Sequence, residues 1–296
     1  MLSSEDLAYA AGFIDGDGCV HVGRRLDPPT PEYAMSVTAS STTPAVLCRL
    51  REFFGGSICE VAVHGNARRK WTWGLYARAA LRFLSAGLPY FRIKREEAIL
   101  ALVFQTSLDN KGPGKRTPLP AAAHALRENL IDIGRALKAP RLPAPLVHGH
   151  ESALPASTDF AYAAGFMDAE GTVNINRVDC SWRLKVQVSN TNQEVIEWFE
   201  RQFGGHVCRA FRPAGRRPLW TWVKCGTKAA EFLKAIQPYL VVKREEAVLG
   251  LRLQESVEAT KGRPIGQGLT AMQLHERAEL SKQIRVFRSA PKEMLA

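Results

Sequence analysis

Two short acidic runs carry the residues best suited to chemistry. Asp15-Gly16-Asp17-Gly18 closes the small, apolar stretch at residues 7–14, and Asp168-Ala169-Glu170-Gly171 closes a near copy whose Tyr162-Ala163-Ala164-Gly165 repeats Tyr9-Ala10-Ala11-Gly12. The spacing predicts a helix ahead of each run. Ser3 is placed to cap the first, with Asp6 three residues on as its capping-box partner. Ala8, Ala11, Gly12 and Asp15 fall at i, i+3, i+4 and i+7 and so share a face, matched by Ala161, Ala164, Gly165 and Asp168. Faces this small allow two helices to approach backbone to backbone. Packed so, they bring Asp17 and Glu170 side by side. Two carboxylates at carbonyl-rich helix ends oppose each other's ionisation, because the like charge and the negative helix end act in the same sense. A hard divalent cation such as Mg²⁺ relieves that conflict, taking carboxylate, carbonyl and water oxygens. The chemistry this suits is phosphodiester hydrolysis.

Simpler readings exist for one such run. Asp-Gly-Asp-Gly makes a tight turn through its own side chains, or simply ends a helix. A calcium loop is excluded, because its fifth position is Cys19 and its glutamate is missing. An acid retained in both copies, once as Asp and once as Glu, favours a shared site.

The elements that must position these acids repeat as well. Trp71-Thr72-Trp73 recurs as Trp220-Thr221-Trp222, and Phe54-Gly55-Gly56 as Phe203-Gly204-Gly205, each 149 residues on. Pro89-Tyr90 recurs as Pro238-Tyr239, and Lys94-Arg95-Glu96-Glu97-Ala98 as Lys243-Arg244-Glu245-Glu246-Ala247. The acidic motifs lie 153 apart (Gly12 to Gly165), so the first copy holds four extra residues, expected in the Pro-rich hairpin around residues 25–33. The copies give two units, 1–138 and 157–296, joined by a Pro-rich linker at 139–156. Two like units in tandem suggest a pseudo-two-fold monomer with no protein partner required.

Each unit reads in one order. The motif helix is followed by strands at 19–25 and 35–40 (172–178 and 182–189) and a helix at 44–54 (193–203) stopped by Gly-Gly. A Trp-containing strand pair, a short helix at 79–86, a longer one at 94–105 and a last one at 121–138 (270–288) complete it. The class is α+β, with a small antiparallel sheet carrying helices on one face. Residues 183–189 alternate Arg183, Lys185, Gln187 and Ser189 outward with Leu184, Val186 and Val188 inward.

Forty Lys and Arg against 29 Asp and Glu give a formal charge of +11, for which a polyanion is the natural partner. The outward donors just named are of the type that read base edges and phosphates. Further basic residues gather beside them: Arg24, Arg25, Arg68, Arg69, Lys70, Arg209, Arg212, Arg216 and Arg217. The six cysteines lack metal-ligand spacing and read as reduced thiols of an intracellular protein. Neither a secretory signal nor a bilayer-spanning run is present, which argues against secretion and membrane partners.

The paired motifs resemble the LAGLIDADG signature of homing endonucleases in their two-motif, single-chain form. The resemblance covers nearly the whole chain: motif helix, strands, Phe-Gly-Gly stop, the Pro-Tyr-x-x-x-Lys segment and the final helix. It implies an αββαββα fold per unit, with saddle-shaped sheets clasping the DNA major groove. It implies an intron-encoded enzyme that cuts both strands of a long asymmetric site with Mg²⁺, leaving short 3′ overhangs; Mn²⁺ or Ca²⁺ can replace Mg²⁺ for binding. The last acids, Asp17 and Glu170, then bind metal, joined by the carbonyls of Gly16 and Ala169. Asp15 and Asp168 become structural caps at the helix interface. Lys94 and Lys243 stand near the scissile phosphates. The water-positioning Gln or Asn falls on Gln187, Asn190 or Asn192 in the second copy, while the first offers only Ser40 and Ser41. An RNA maturase or a non-catalytic DNA-binding protein on the same scaffold are the competing functions.

Overall fold

The structure, a computed structural model, describes residues 2–25, 32–62, 68–109, 119–139, 154–178, 181–210, 212–213, 215–262 and 268–289. Tertiary contacts divide the chain into two compact units at Leu142–Pro143, a boundary inside the segment read as linker. Most of that segment, residues 140–153, lies outside the described residues, as does Cys180.

The first unit starts with α1 (Ser4–Asp17), then β1 (Gly18–Arg25), β2 (Glu32–Ser41), α2 (Pro44–Phe54), β3 (Ser57–Val61) and β4 (Lys70–Tyr76). Three helices end it: α3 (Ala77–Gly87), α4 (Arg95–Asp109) and α5 (Ala121–Leu137). The second unit repeats the order as α6 (Ser157–Glu170), β5 (Gly171–Val178), β6 (Ser181–Asn190), α7 (Gln193–Phe203), β7 (His206–Ala210) and β8 (Leu219–Cys225). Its last helices are α8 (Gly226–Ile236), α9 (Arg244–Glu258) and α10 (Ala271–Ser289). The αββαββα core is present in each unit and carries two further helices at its end.

Each sheet has four antiparallel strands, in the orders β1-β2-β4-β3 and β5-β6-β8-β7. Period-two alternation decides the faces. Met35, Val37 and Ala39 of β2 are buried, as are Leu184, Val186 and Val188 of β6, and the residues between them are not. All five helices of the first unit pack on its sheet, α4 and α5 along β1, and the second unit repeats this with α9 and α10 along β5.

The paired strands have equal lengths in the two units, yet six residues (26–31) join β1 to β2 and two (179–180) join β5 to β6. The four-residue surplus therefore lies in that hairpin connection. Strand β2 begins at Glu32 rather than residue 35, because Glu32 pairs with Arg25 at a polar hairpin end that gives no alternation to read. Helix α4 runs four residues past its expected end. Its last turn is polar and closes on its own bonds, Thr106 Oγ1 to Leu102 O (2.9 Å) and Gln105 Nε2 to Asp109 Oδ1 (3.2 Å).

The Phe-Gly-Gly stop and the Trp-x-Trp strand form one device. Gly55 and Gly204 follow α2 and α7 with φ of 74° and 63°, in the left-handed region that a side chain strains to adopt. Each glycine's carbonyl accepts the indole N–H of a fully buried tryptophan, Trp73 in the first unit (2.8 Å) and Trp222 in the second (2.7 Å). A Cβ on Gly56 would stand 2.5 Å from the Gly74 carbonyl, so the strand approach itself demands glycine there.

Candidate active site and nucleic-acid interface

Helix α1 starts as its sequence dictates. Ser3 Oγ accepts the Asp6 N–H (3.1 Å) and Asp6 Oδ2 accepts the Ser3 N–H (3.3 Å). From Ala8 to Asp15 every residue is buried, and in α6 every residue from Ala161 to Asp168. A helix apolar all round is a buried one, so the small face is part of a wholly enclosed segment. Exposure returns at the motif ends: Gly16 and Ala169 are half-buried, Glu170 likewise, and Asp17 is exposed.

The first acid of each motif is spent inside its own unit. Asp15, 2% exposed, accepts the N–H groups of Arg92 (2.8 Å), Ile93 (3.0 Å) and Lys94 (2.9 Å). Asp168, 4% exposed, accepts those of Val241 (2.7 Å) and Lys243 (2.8 Å). These donors lie at the entries to α4 and α9, where backbone N–H groups have no intrahelical partner. Asp15 and Asp168 are therefore caps, as expected, but of the turns before α4 and α9.

That capping fixes the lysine. The Lys94 backbone is held by the Asp15 carboxylate, and the Lys94 ammonium donates to the Asp15 carbonyl (2.5 Å). A cation at the carbonyl end of α1 is favourably placed. Lys94 thus belongs to the motif end, two residues from Asp17, rather than only to the charge cluster of Glu96 and Glu97. Lys243 shares the backbone arrangement at Asp168.

Of the three residues the sequence left open, Asn190 is bonded to the motif acid. Its Nδ2 donates to Glu170 Oε1 (2.9 Å), while its Oδ1 accepts the Asn192 N–H (2.8 Å). Gln187 sits three residues earlier on β6, and Asn192 caps α7 by accepting the Val195 N–H (3.0 Å). In the first unit Ser41 takes the place of Asn190 and accepts the Thr43 N–H (3.0 Å). The shared offset of 149 was the available signal, since both residues end the second strand and begin the same turn.

In each unit the last acid of the motif and the helix-end carbonyl before it, Asp17 with Gly16 and Glu170 with Ala169, offer oxygen only. The last carbonyls of a helix lack intrahelical donors, and in α1 the Gly18 N–H goes to Ile14 and the Lys94 ammonium to Asp15. Such a donor set fits a hard cation of the Mg²⁺ type. Among the described residues no three His, Cys, Asp or Glu side chains of one cluster gather as a metal site, so a ligand set here needs main-chain oxygen or water.

The basic residues divide between two faces. On β6, Arg183, Lys185, Gln187 and Ser189 stand opposite to buried Leu184, Val186 and Val188, on the open side of the sheet. Ser189 Oγ is paired with Thr221 Oγ1 (2.9 Å), as Ser40 Oγ is with Thr72 Oγ1 (2.8 Å). Lys70 is exposed, and its alternation with buried Trp71 puts it on the open side; Arg25 pairs with Glu32 at the end of β1. Arg68 and Arg69 precede β4, with Arg69 3.5 Å from Glu60. Arg212, Arg216 and Arg217 are exposed between β7 and β8.

Arg24 and Arg209 depart from the expected basic face. Arg24 shares the parity of buried Val20 and reaches α5, where Glu128 accepts from Arg24 (2.9 Å) and from the Tyr33 hydroxyl (2.7 Å). Those donors, the Tyr33 hydroxyl first, hold the Glu128 carboxyl below its ordinary range. Arg209 lies opposite buried Trp220 with its guanidinium 5.7 Å from that ring. Both take this side because strand alternation, not charge, sets which way a residue points.

No protein-family model and no curated protein matches this sequence. Solved structures do. The chain is similar to the LAGLIDADG homing endonuclease I-GzeII in complex with its DNA target, with a TM-score of 0.67 at 15% identity over 98% of this chain and 100% of that one. It is similar to the LAGLIDADG meganuclease I-AabMI bound to uncleaved DNA (TM-score 0.65, 13% identity, 93% and 98% covered). It is also similar to the I-SmaMI LAGLIDADG homing endonuclease bound to cleaved DNA (TM-score 0.63, 14% identity, 95% and 96% covered). At such identities the likeness is one of fold, and it extends over both units: the chain has the two-motif, single-chain fold of the LAGLIDADG homing endonucleases.

Proposed function

We propose that this protein is a site-specific DNA endonuclease that hydrolyses both strands of a long asymmetric duplex site. The observation that carries the reading is the twice-built motif end. In each unit one acid caps the turn that holds a lysine, and the next acid, Asp17 or Glu170, ends the helix just past its buried stretch. The fold supports it, since proteins of this fold have been seen with uncleaved and with cleaved DNA.

In hydrolysis a water oxygen attacks phosphorus, one phosphorus–oxygen bond breaks, and negative charge grows on the phosphoryl oxygens. Asp17 with the Gly16 carbonyl, and Glu170 with the Ala169 carbonyl, would hold Mg²⁺, whose chemistry there is to polarise the phosphate and acidify water. The chain's own groups do the rest. The ammonium groups of Lys94 and Lys243 offset the growing charge. Asn190 fixes the Glu170 carboxylate by donating to it. Arg183, Lys185 and Gln187 donate to phosphates or base edges, and +11 of formal charge draws the polyanion in.

The test is cleavage of a randomised duplex library with Mg²⁺, followed by sequencing of the ends. Enriched paired breaks with a fixed short 3′ stagger are expected. Sequence-specific binding without breaks sinks the nuclease reading and leaves a DNA-binding protein. Splicing assistance by the Asp17→Asn, Glu170→Gln double variant favours a maturase.

A further inference from the structure

The two open sheet faces carry different side chains at matching register positions. On β5–β6 three consecutive cross-strand pairs are Thr172–Gln187, Asn174–Lys185 and Asn176–Arg183. The same three positions of β1–β2 hold Cys19–Thr38, His21–Ser36 and Gly23–Ala34. The first set offers two cations, three amides and a hydroxyl. The second offers two hydroxyls, a thiol, an imidazole and two residues with no side-chain donor.

Local packing widens that difference. A Cβ on Gly23 would stand 2.5 Å from the His21 ring nitrogen, so the imidazole lies along the strand over Gly23. A Cβ on Gly74 would stand 3.0 Å from the Tyr76 hydroxyl, so that ring lies along β4 in the same way. The rings make a low cover for the first face. In the second unit, Asn174 Oδ1 accepts from Arg288 Nη1 (2.7 Å), which leaves the amide N–H₂ group as the part of Asn174 that can donate to a base. Arg183 and Asn176 are exposed at the far end of the ladder.

Reading a base edge in the major groove needs a donor–acceptor pattern and the length to reach it. Arg and Lys recognise guanine, Asn and Gln recognise adenine, and Ser or Thr accept either partner. We infer that sequence discrimination is lopsided: the half-site under the β5–β6 ladder is read base by base through Asn174, Asn176, Arg183, Lys185 and Gln187. The half-site under β1–β2 is bound chiefly through the DNA backbone and tolerates substitution. This rests on the DNA-binding reading above.

The test is binding selection with the full chain on a randomised duplex library, comparing wild type with R183A/K185S/Q187T, which installs the first unit's residues at Ala34, Ser36 and Thr38. In the wild type one block of bases on one side of the site centre is expected to be strongly fixed. In the variant that block loses about 10-fold in preference per fixed base, the weak side stays as it was, and thermal unfolding is unchanged. Because two cations are removed, preference ratios are read rather than affinity. Equal fixation on both sides overturns the inference, as does a strong block that survives the variant, and either leaves DNA recognition standing. A wild type that enriches no sequence overturns it together with the DNA-binding reading. If the variant unfolds, Q187T alone decides, by whether one base position relaxes.

Discussion

The two units share their hidden bonds and differ in their open ones. Asp15 and Asp168 cap the same turn, and Trp73 and Trp222 reach the same glycine carbonyl. Even Arg127 and Arg277, buried on the last helices, donate to the equivalent carbonyls of Ser107 and Ser256. The differences gather at the motif end, Asp17 with Ser41 against Glu170 with Asn190, and on the sheet faces. The physical reason is the cost of change. A buried polar group that loses its partner costs about 1–3 kcal/mol, whereas an exposed residue is exchanged for almost nothing. What remained alike is what holds the motif ends in place, and what diverged is what is exposed beside them.

The largest expected effect breaks the comparison at its centre. Asp17→Asn and Glu170→Gln are each expected to lower double-strand cleavage by more than about 100-fold, with duplex binding retained. Supercoiled and linear plasmid products distinguish two cases. If the acids serve one shared site, each variant loses both strands together. Accumulation of a product nicked in one strand, a different strand for each variant, means instead that each unit cuts alone.

Next in size is the buried cap. Asp15→Asn keeps the shape but loses the charge that three backbone N–H groups share, and a loss of about 3 kcal/mol in denaturant unfolding is expected. Asp168→Asn is expected to cost as much. Clearly unequal losses break the claim that the two frames are equivalent.

The frame was legible in the sequence where it is periodic. The β6 alternation, the Gly-Gly stops of α2 and α7 and the Ser3–Asp6 capping box are local patterns, and the structure repeats them within a residue or two. Asp15 was legible as a cap but its target was not, because its partners lie 77 to 79 residues away. Asn190 stayed one of three candidates for the same reason, since the bond to Glu170 spans 20 residues and depends on how β6 leaves the sheet. Charge alone misplaced Arg24, whose side of β1 follows the alternation of Val20 and whose partner Glu128 is 104 residues on. The sequence distance of these bonds, not their chemistry, is what hid them.

Asn190 against Ser41 sharpens the comparison at the motif ends. Asn190→Ser removes the amide from Glu170 but keeps an oxygen for the Asn192 N–H, as Ser41 does for Thr43. A loss of about 10-fold in cleavage rate is expected, with a higher Mg²⁺ concentration needed for half-maximal rate. An unchanged Mg²⁺ dependence reduces Asn190 to a turn residue.

The smallest expected effect lies at His21, the counterpart of Asn174 on β1. Burial first, and the Lys138 charge second, push the His21 imidazole below its ordinary 6.5. The folded chain therefore resists a proton that the unfolded chain accepts, and stability is lost as pH falls below about 6.5 toward the folded value. His21→Asn, which installs the second unit's residue, removes this contribution. Relative to wild type, the variant is expected to gain a little stability at pH 5.5 and none at pH 8, a difference under about 2 °C in Tm. The unequal effect at the two pH values is the signature to look for. A shift of the same size at both comes from packing over Gly23 rather than from the proton, and would show that the ring is held there by contact alone.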